Sequence, residues 1–142
     1  MHSTRLRVRL SETDQNGVVY YSEYFVYFDV AKTDFLTHEG IDPIGMDQSG
    51  FRLLAAETLC TYYAPARFGD LLDIAIWVRK MGKTSVQFGF AVKRKRKLVA
   101  EGYIFNVLVD KSGKPVSLPR SARLKLARHV MLGKQASRGI RP

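Results

Sequence analysis

Cysteine is almost missing from this chain: Cys60 alone rules out an internal disulfide and makes a reducing, cytoplasmic compartment the expectation. Long apolar runs are missing too. No stretch approaches the roughly 20 residues that a helix needs to cross a bilayer, and the opening MHSTRLRVRL alternates charge where a secretory signal carries a continuous apolar core. The three histidines, His2, His38 and His129, are scattered, and no H-x-x-E-H, C-x-x-C or G-x-S-x-G pattern occurs. That argues against a zinc hydrolase, a dithiol redox enzyme and a serine-elbow hydrolase. Acidic residues are scarce, 13 against 23 basic ones, and the resulting net charge of +10 points to polyanionic partners: nucleic acid, anionic membranes or phosphate-rich small molecules.

What the chain does have is an unusual stretch from Ser11 to Gly40. A polar, turn-prone run, Ser11 to Gly17, gives way to Tyr24, Phe25, Val26, Tyr27, Phe28, Val30, Ala31, Phe35 and Leu36. At 3.6 residues per turn these cover the whole circumference, which predicts a buried helix over 22–39. Ser22 is the expected N-cap, Glu23 places a carboxylate in the first turn, and Gly40 is the expected stop. The polar run would then crowd around the positive end of that helix.

Strands are predicted on either side. Leu6, Val8 and Leu10 alternate with Arg5, Arg7 and Arg9, as in a half-exposed strand. Ile41 to Gly50 reads as a loop, and Phe51 to Ala64 as a strand that Pro65 ends. After a turn at Arg67 to Asp70, Leu72, Ile74, Ile76 and Val78 share one face of a third strand. The Met81 to Lys83 turn leads to a fourth, with Val86, Phe88, Phe90 and Val92 on one face. Leu98 to Asp110 reads as a fifth, with Val99, Tyr103, Phe105, Val107 and Val109 on one side. A short helix is expected within 120–132, with Leu124, Ala127, Val130 and Met131 on its apolar side. At 142 residues this is one domain, taken as 1–132, followed by a basic, loose tail over 133–142. The expected class is α+β: a five-stranded antiparallel sheet wrapped around one long buried central helix.

Thr13-Asp14, Gly17-Val18-Val19-Tyr20-Tyr21 and Tyr24-Phe25, then Tyr63-Ala64-Pro65-Ala66-Arg67-Phe68-Gly69-Asp70 and Thr84-Ser85, resemble the signature of hot-dog fold acyl-CoA thioesterases of the 4-hydroxybenzoyl-CoA thioesterase type. The likeness spans about the first 120 residues. It implies hydrolysis of an acyl-CoA thioester, aromatic or short to medium in chain, to the free acid and coenzyme A, with no metal or other cofactor. It also implies a homodimer or homotetramer whose protomers join sheets edge to edge and share the active site.

Asp14 is the first catalytic candidate. Thioester hydrolysis needs a carboxylate that activates water or attacks the carbonyl, and ionised is the ordinary state of an aspartate at neutral pH. Its structural alternative is an Asx-turn in the Thr13 to Gly17 loop. Gly17 and Val18 come next, because backbone N–H groups at a helix N-terminus are ready donors to a developing oxyanion. By resemblance, the amide near Tyr21 polarises the thioester. Tyr21 itself stands where many short-chain relatives carry His, and a phenol is no base at neutral pH, so Asp14 bears the acid-base role alone. Ser85 is expected to line the acyl site or else only to turn the chain. Lys93-Arg94-Lys95-Arg96-Lys97 forms a focused positive patch, a solvated turn on one reading and a coenzyme A phosphate site together with Arg67 and Arg120 on the other. The run lacks the interleaved aromatics of a nucleic-acid platform. The competing function is a non-catalytic hot-dog protein using its basic surface for acyl-carrier protein or nucleic acid.

Overall fold

The computed structural model describes residues 1–42 and 51–131, so the expected loop of 41–50, apart from its first two residues, and the tail of 133–142 lie outside the described residues. The elements, in chain order, are β1 (His2–Arg7), a 3-10 turn (Leu10–Glu12), α1 (Glu23–His38), β2 (Arg52–Tyr62), β3 (Leu71–Met81), β4 (Ser85–Arg94), β5 (Lys97–Val109) and α2 (Arg120–Ala127). The strands form one antiparallel sheet in the order β1-β3-β4-β5-β2, and α1 lies across its inner face. Among the described residues no helix is long and apolar enough to cross a membrane.

The period-two reading holds where the ladders are regular. Leu72, Ile74, Ile76 and Val78 of β3, and Val86, Phe88, Phe90 and Val92 of β4, are all fully buried on the inner face. Phe28 of α1 stacks on Phe90 at 4.5 Å, and Phe35 meets Phe88 edge-on. Each such buried side chain contributes about 1.5–3 kcal/mol. Together they seat the helix on the sheet.

The β5 face is corrected by one residue. Val92 pairs with Ala100 but Lys93 with Leu98, leaving Val99 as the extra residue of a bulge. The inner set is therefore Ala100, Gly102, Ile104, Asn106 and Leu108, while Tyr103, Phe105 and Val107 face outward and only Val99 and Val109 of the expected face are buried. β1 ends at Arg7 rather than Leu10: Val8 is buried, but Leu10 enters the 3-10 turn and is 69% exposed. In α2 the buried residues are Ala122 and Leu126, with Leu124 exposed.

The helix expectation is also revised. α1 has 16 residues and buries Tyr24, Tyr27, Phe28, Ala31, Phe35 and Leu36, whereas Val26 and Val30 stay exposed. Its uncovered side also carries Asp29, Thr33 and Asp34, so the helix is not buried all round but covered on one side only. Ser22 occupies the N-cap position without a side-chain cap bond. Gly40 does end the helix: with φ of 73° it lets its own N–H reach Thr37 O and that of Ile41 reach Leu36 O, closing a Schellman motif.

Candidate active site

The Asp14 loop is built on a buried acid. Glu12 accepts hydrogen bonds from the Arg9 backbone N–H at 2.7 Å, from the Arg9 guanidinium and from the Tyr27 hydroxyl at 3.1 Å. Tyr27 is on α1, so this carboxylate ties the loop entering the helix to the helix itself. Burial first, then the Glu12 charge, pushes the Tyr27 phenol up, keeping it a neutral donor. The sequence reading had placed Glu12 only in a polar run. The R-x-x-E spacing of Arg9 and Glu12, a capping-box pattern, was the available signal.

From there the chain makes a tight hairpin. Asp14 N–H bonds Val18 O, Gly17 N–H bonds Asp14 O, and Thr13 bridges Val19. Gly17 needs its φ of 76° to make this turn. Asp14 Oδ1 accepts from the backbone N–H of Asn16 at 2.8 Å and, more weakly, of Val18 at 3.4 Å. So the Asx-turn is real. Among the described residues no donor sits on Oδ2, and Asp14 is only partly buried.

Val18 bridges Arg67, and Val19 N–H bonds Ala66 O at 2.8 Å, docking the hairpin against the Arg67 to Asp70 turn. Asp70 caps that turn by accepting from Arg67 N–H, and it pairs with Arg94 at 2.9 Å; burial pushes its carboxyl up, but the Arg67 N–H and then Arg94 together hold it below the usual range. Arg94 also donates to Pro65 O. It is thereby engaged in holding the turn, whereas Arg67 and Lys95 are exposed. Lys95 and Arg96, with φ of 49° and 70°, form the centre of the β4–β5 hairpin turn.

Tyr21 lies just before α1 and is 60% exposed, with its ring against that of Tyr20. Its carbonyl accepts from the Tyr62 hydroxyl at 2.8 Å, which links the helix entry to the end of β2. Among the described residues the backbone N–H groups of Tyr21 and Ser22 have no acceptor. Two free amides thus stand at the N-terminus of α1, near the Asp14 hairpin. The lone thiol, Cys60, is half-buried, and burial pushes it up to about 11, so it is protonated at neutral pH.

Asp14, Gly17, Val18, Tyr21, Arg67, Lys93, Arg94 and Lys95 therefore gather at one end of the sheet. Ser85 and Arg120 do not. Ser85 starts β4 at the opposite end, and Arg120 opens α2 beside it, where Leu118 N–H bonds Lys83 O. Among the described residues no three His, Cys, Asp or Glu side chains gather as metal ligands would.

Residues 8–126 match the family model for the Thioesterase-like superfamily. The acyl-CoA thioester hydrolase YbgC of Escherichia coli is 31% identical over 118 residues, spanning 82% of this chain and 88% of that protein. A Thermus thermophilus protein of known structure, TT1821, superposes with a TM-score of 0.85 at 30% identity, covering 89% of this chain and 98% of that one. A 1,4-dihydroxy-2-naphthoyl-CoA thioesterase from Synechocystis has the same fold, with a TM-score of 0.84 at 20% identity over 88% and 94% of the two chains. The chain belongs to the Thioesterase-like superfamily and is a hot-dog thioester hydrolase.

Proposed function

We propose that the protein hydrolyses acyl-CoA thioesters at a site shared by two copies of the chain, with the Asp14 carboxylate as general base or nucleophile. The observation that carries this reading is the pairing of a carboxylate oxygen without a donor, on a rigid hairpin, with the unengaged amides of Tyr21 and Ser22 at a helix N-terminus. Those amides would take the thioester oxygen as it gains charge, an interaction typically worth about 10²–10³ in rate per donor. The exposed cations Arg67 and Lys95, with Lys93 alongside, would meet the coenzyme A phosphates, and Arg94 would keep the Arg67 turn in place.

The second copy follows from β2. This edge strand has 11 residues, nearly all exposed, including Leu54 and Leu59 at 45% each. A long apolar edge is a template for another strand. Antiparallel two-fold pairing about the midpoint, Glu57, sets Arg52 opposite Tyr62 of the second copy. The catalytic end of each chain then lies beside the Ser85 and Arg120 end of the other, which reunites the candidates that a single chain keeps apart.

Asp14→Asn tests the chemistry. Asn retains the Oδ1 acceptor of the Asx-turn but cannot take a proton or attack as an anion, so kcat should fall at least about 10²-fold with an unchanged melting temperature. A fully active variant would sink the assignment.

A further inference from the structure

Asn106 sits on the inner face of β5 with no exposed surface, and among the described residues neither its Nδ2 nor its Oδ1 has a hydrogen-bond partner. Its neighbours on that face are Ile104 and Leu108 along the strand and Val86 across the ladder, all buried and apolar; Ala55 of β2 is opposite on the other side. A buried polar atom left unpaired gives up its hydrogen bonds to water and gains none in return. An apolar residue would fill this place at no such cost. A carboxamide here needs a group that both accepts from Nδ2 and donates to Oδ1.

The source of that group follows from position, and the inference rests on the two-copy site proposed above. Along its own chain Asn106 is six residues from Ala100, the partner of Tyr62, which at the strand rise is about 20 Å from the Tyr21 end. Across the β2 seam the distance is shorter. Asn106 is one strand in from Ala55, which the two-fold pairing sets opposite Leu59 of the second copy; two strand spacings across, about 10 Å, and three residues along to that copy's Tyr62, about 10 Å more, put its catalytic end about 14 Å away. The wall on that side is made of Ala55 and Ala56, small and exposed.

We propose that Asn106 is a specificity residue for the thioester bound at the second copy's Asp14, reading a hydroxyl at the distal end of a medium-length straight-chain acyl group. A hydroxyl accepts and donates at once and matches both faces of the carboxamide. A plain alkyl chain of the same length leaves both atoms unpaired, and sites built to bond a substrate hydroxyl discriminate strongly against analogues lacking it.

The test is a series of straight-chain acyl-CoA thioesters, each paired with its ω-hydroxy counterpart, assayed on the wild type and on Asn106→Leu, with Asn106→Val as the smaller replacement if Leu overpacks. At the matching length the wild type should show a kcat/KM ratio, hydroxylated over plain, of at least about tenfold, and the variant a ratio near one. A wild-type ratio near one at every length, or a ratio that the variant preserves, overturns the assignment and leaves Asn106 as a buried-water site. Plain thioesters test hydrolysis itself. If none turns over, the thioesterase reading fails separately, and calorimetry with inert thioether analogues asks the same question of affinity: a hydroxyl preference lost in the variant upholds the role of Asn106, and its absence in the wild type overturns it.

Discussion

The two edges of this sheet are built differently. β1 is short, six residues, and alternates half-buried and exposed positions; its outward side carries Arg5, paired with Asp73 at 2.8 Å, and Arg7, bonded to Gly69 O. Its start is fastened to α1, where Asp34 accepts from Thr4 and pairs with His2 at 2.9 Å. β2 is nearly twice as long and carries only Arg52 and Glu57 as charges. The helix flank exposes Val26 and Val30 to match. A charged, short edge ends a sheet, and a long apolar one continues it. The contrast is what supports placing the proposed two-copy pairing on the β2 side.

The largest expected effect comes from charging that edge. Leu54→Lys with Leu59→Lys places four cations near the two-fold seam without touching the core, because both side chains face outward. Sedimentation should show a monomer, and kcat/KM should fall at least about 10²-fold through lost positioning. Ser3→Lys, at an exposed outward position of β1, is the matched control and should leave assembly intact. An active monomer would abolish the distinction between the edges.

A second change attacks the docking of β2 onto β5. A Cβ on Gly102 would come within 2.0 Å of Leu59 O and 3.0 Å of the Phe28 ring, both parts of the framework rather than free side-chain ends. Gly102→Ala should therefore cost about 3 kcal/mol, the upper part of the overpacking range, and lower the melting temperature accordingly. Gly69, with nothing within 4 Å of its Cβ position, carries no such clash. If Gly102→Ala melts like the wild type, the close approach of the two strands is wrong.

The smallest effect belongs to β1. Hydrogen bonds from Thr4 and His2 hold the Asp34 carboxyl below its ordinary value. For a depressed carboxylate the stabilisation is complete above the unfolded value, near pH 4, and is lost as pH falls through the folded value. Because the side chain is 52% exposed, solvent screening limits the contribution to a few tenths of a kcal/mol, about 0.5 at most. Asp34→Asn should flatten the acid limb of a stability-against-pH curve below about pH 4 and leave assembly unchanged. A shift in oligomeric state would mean that β1 also guards the interface.

Much of the architecture was legible because β3 and β4 keep an unbroken period of two, so Leu72 to Val78 and Val86 to Val92 announce their buried face directly. β5 was misread because a bulge is a pairing event: Val99 inverts every later side chain, yet nothing in its own chemistry marks it as extra. The Asp14 hairpin was readable from its turn residues and from the family likeness. Glu12 was not, since a buried glutamate looks like any polar loop residue until Tyr27 arrives from the helix to bond it.

The sequence by itself determined the alternation of the strands, the Asp14 turn, the Gly40 stop and the excess of positive charge, because each depends on residues adjacent or a few positions apart. Only the tertiary structure decided which side of α1 is covered, that Arg94 is engaged by Asp70, that Ser85 and Arg120 lie at the far end from Asp14, and that the Asn106 carboxamide is sealed in the core. Those are contacts between segments tens of residues apart, set by which strands become neighbours. Local residue patterns carry no record of that choice.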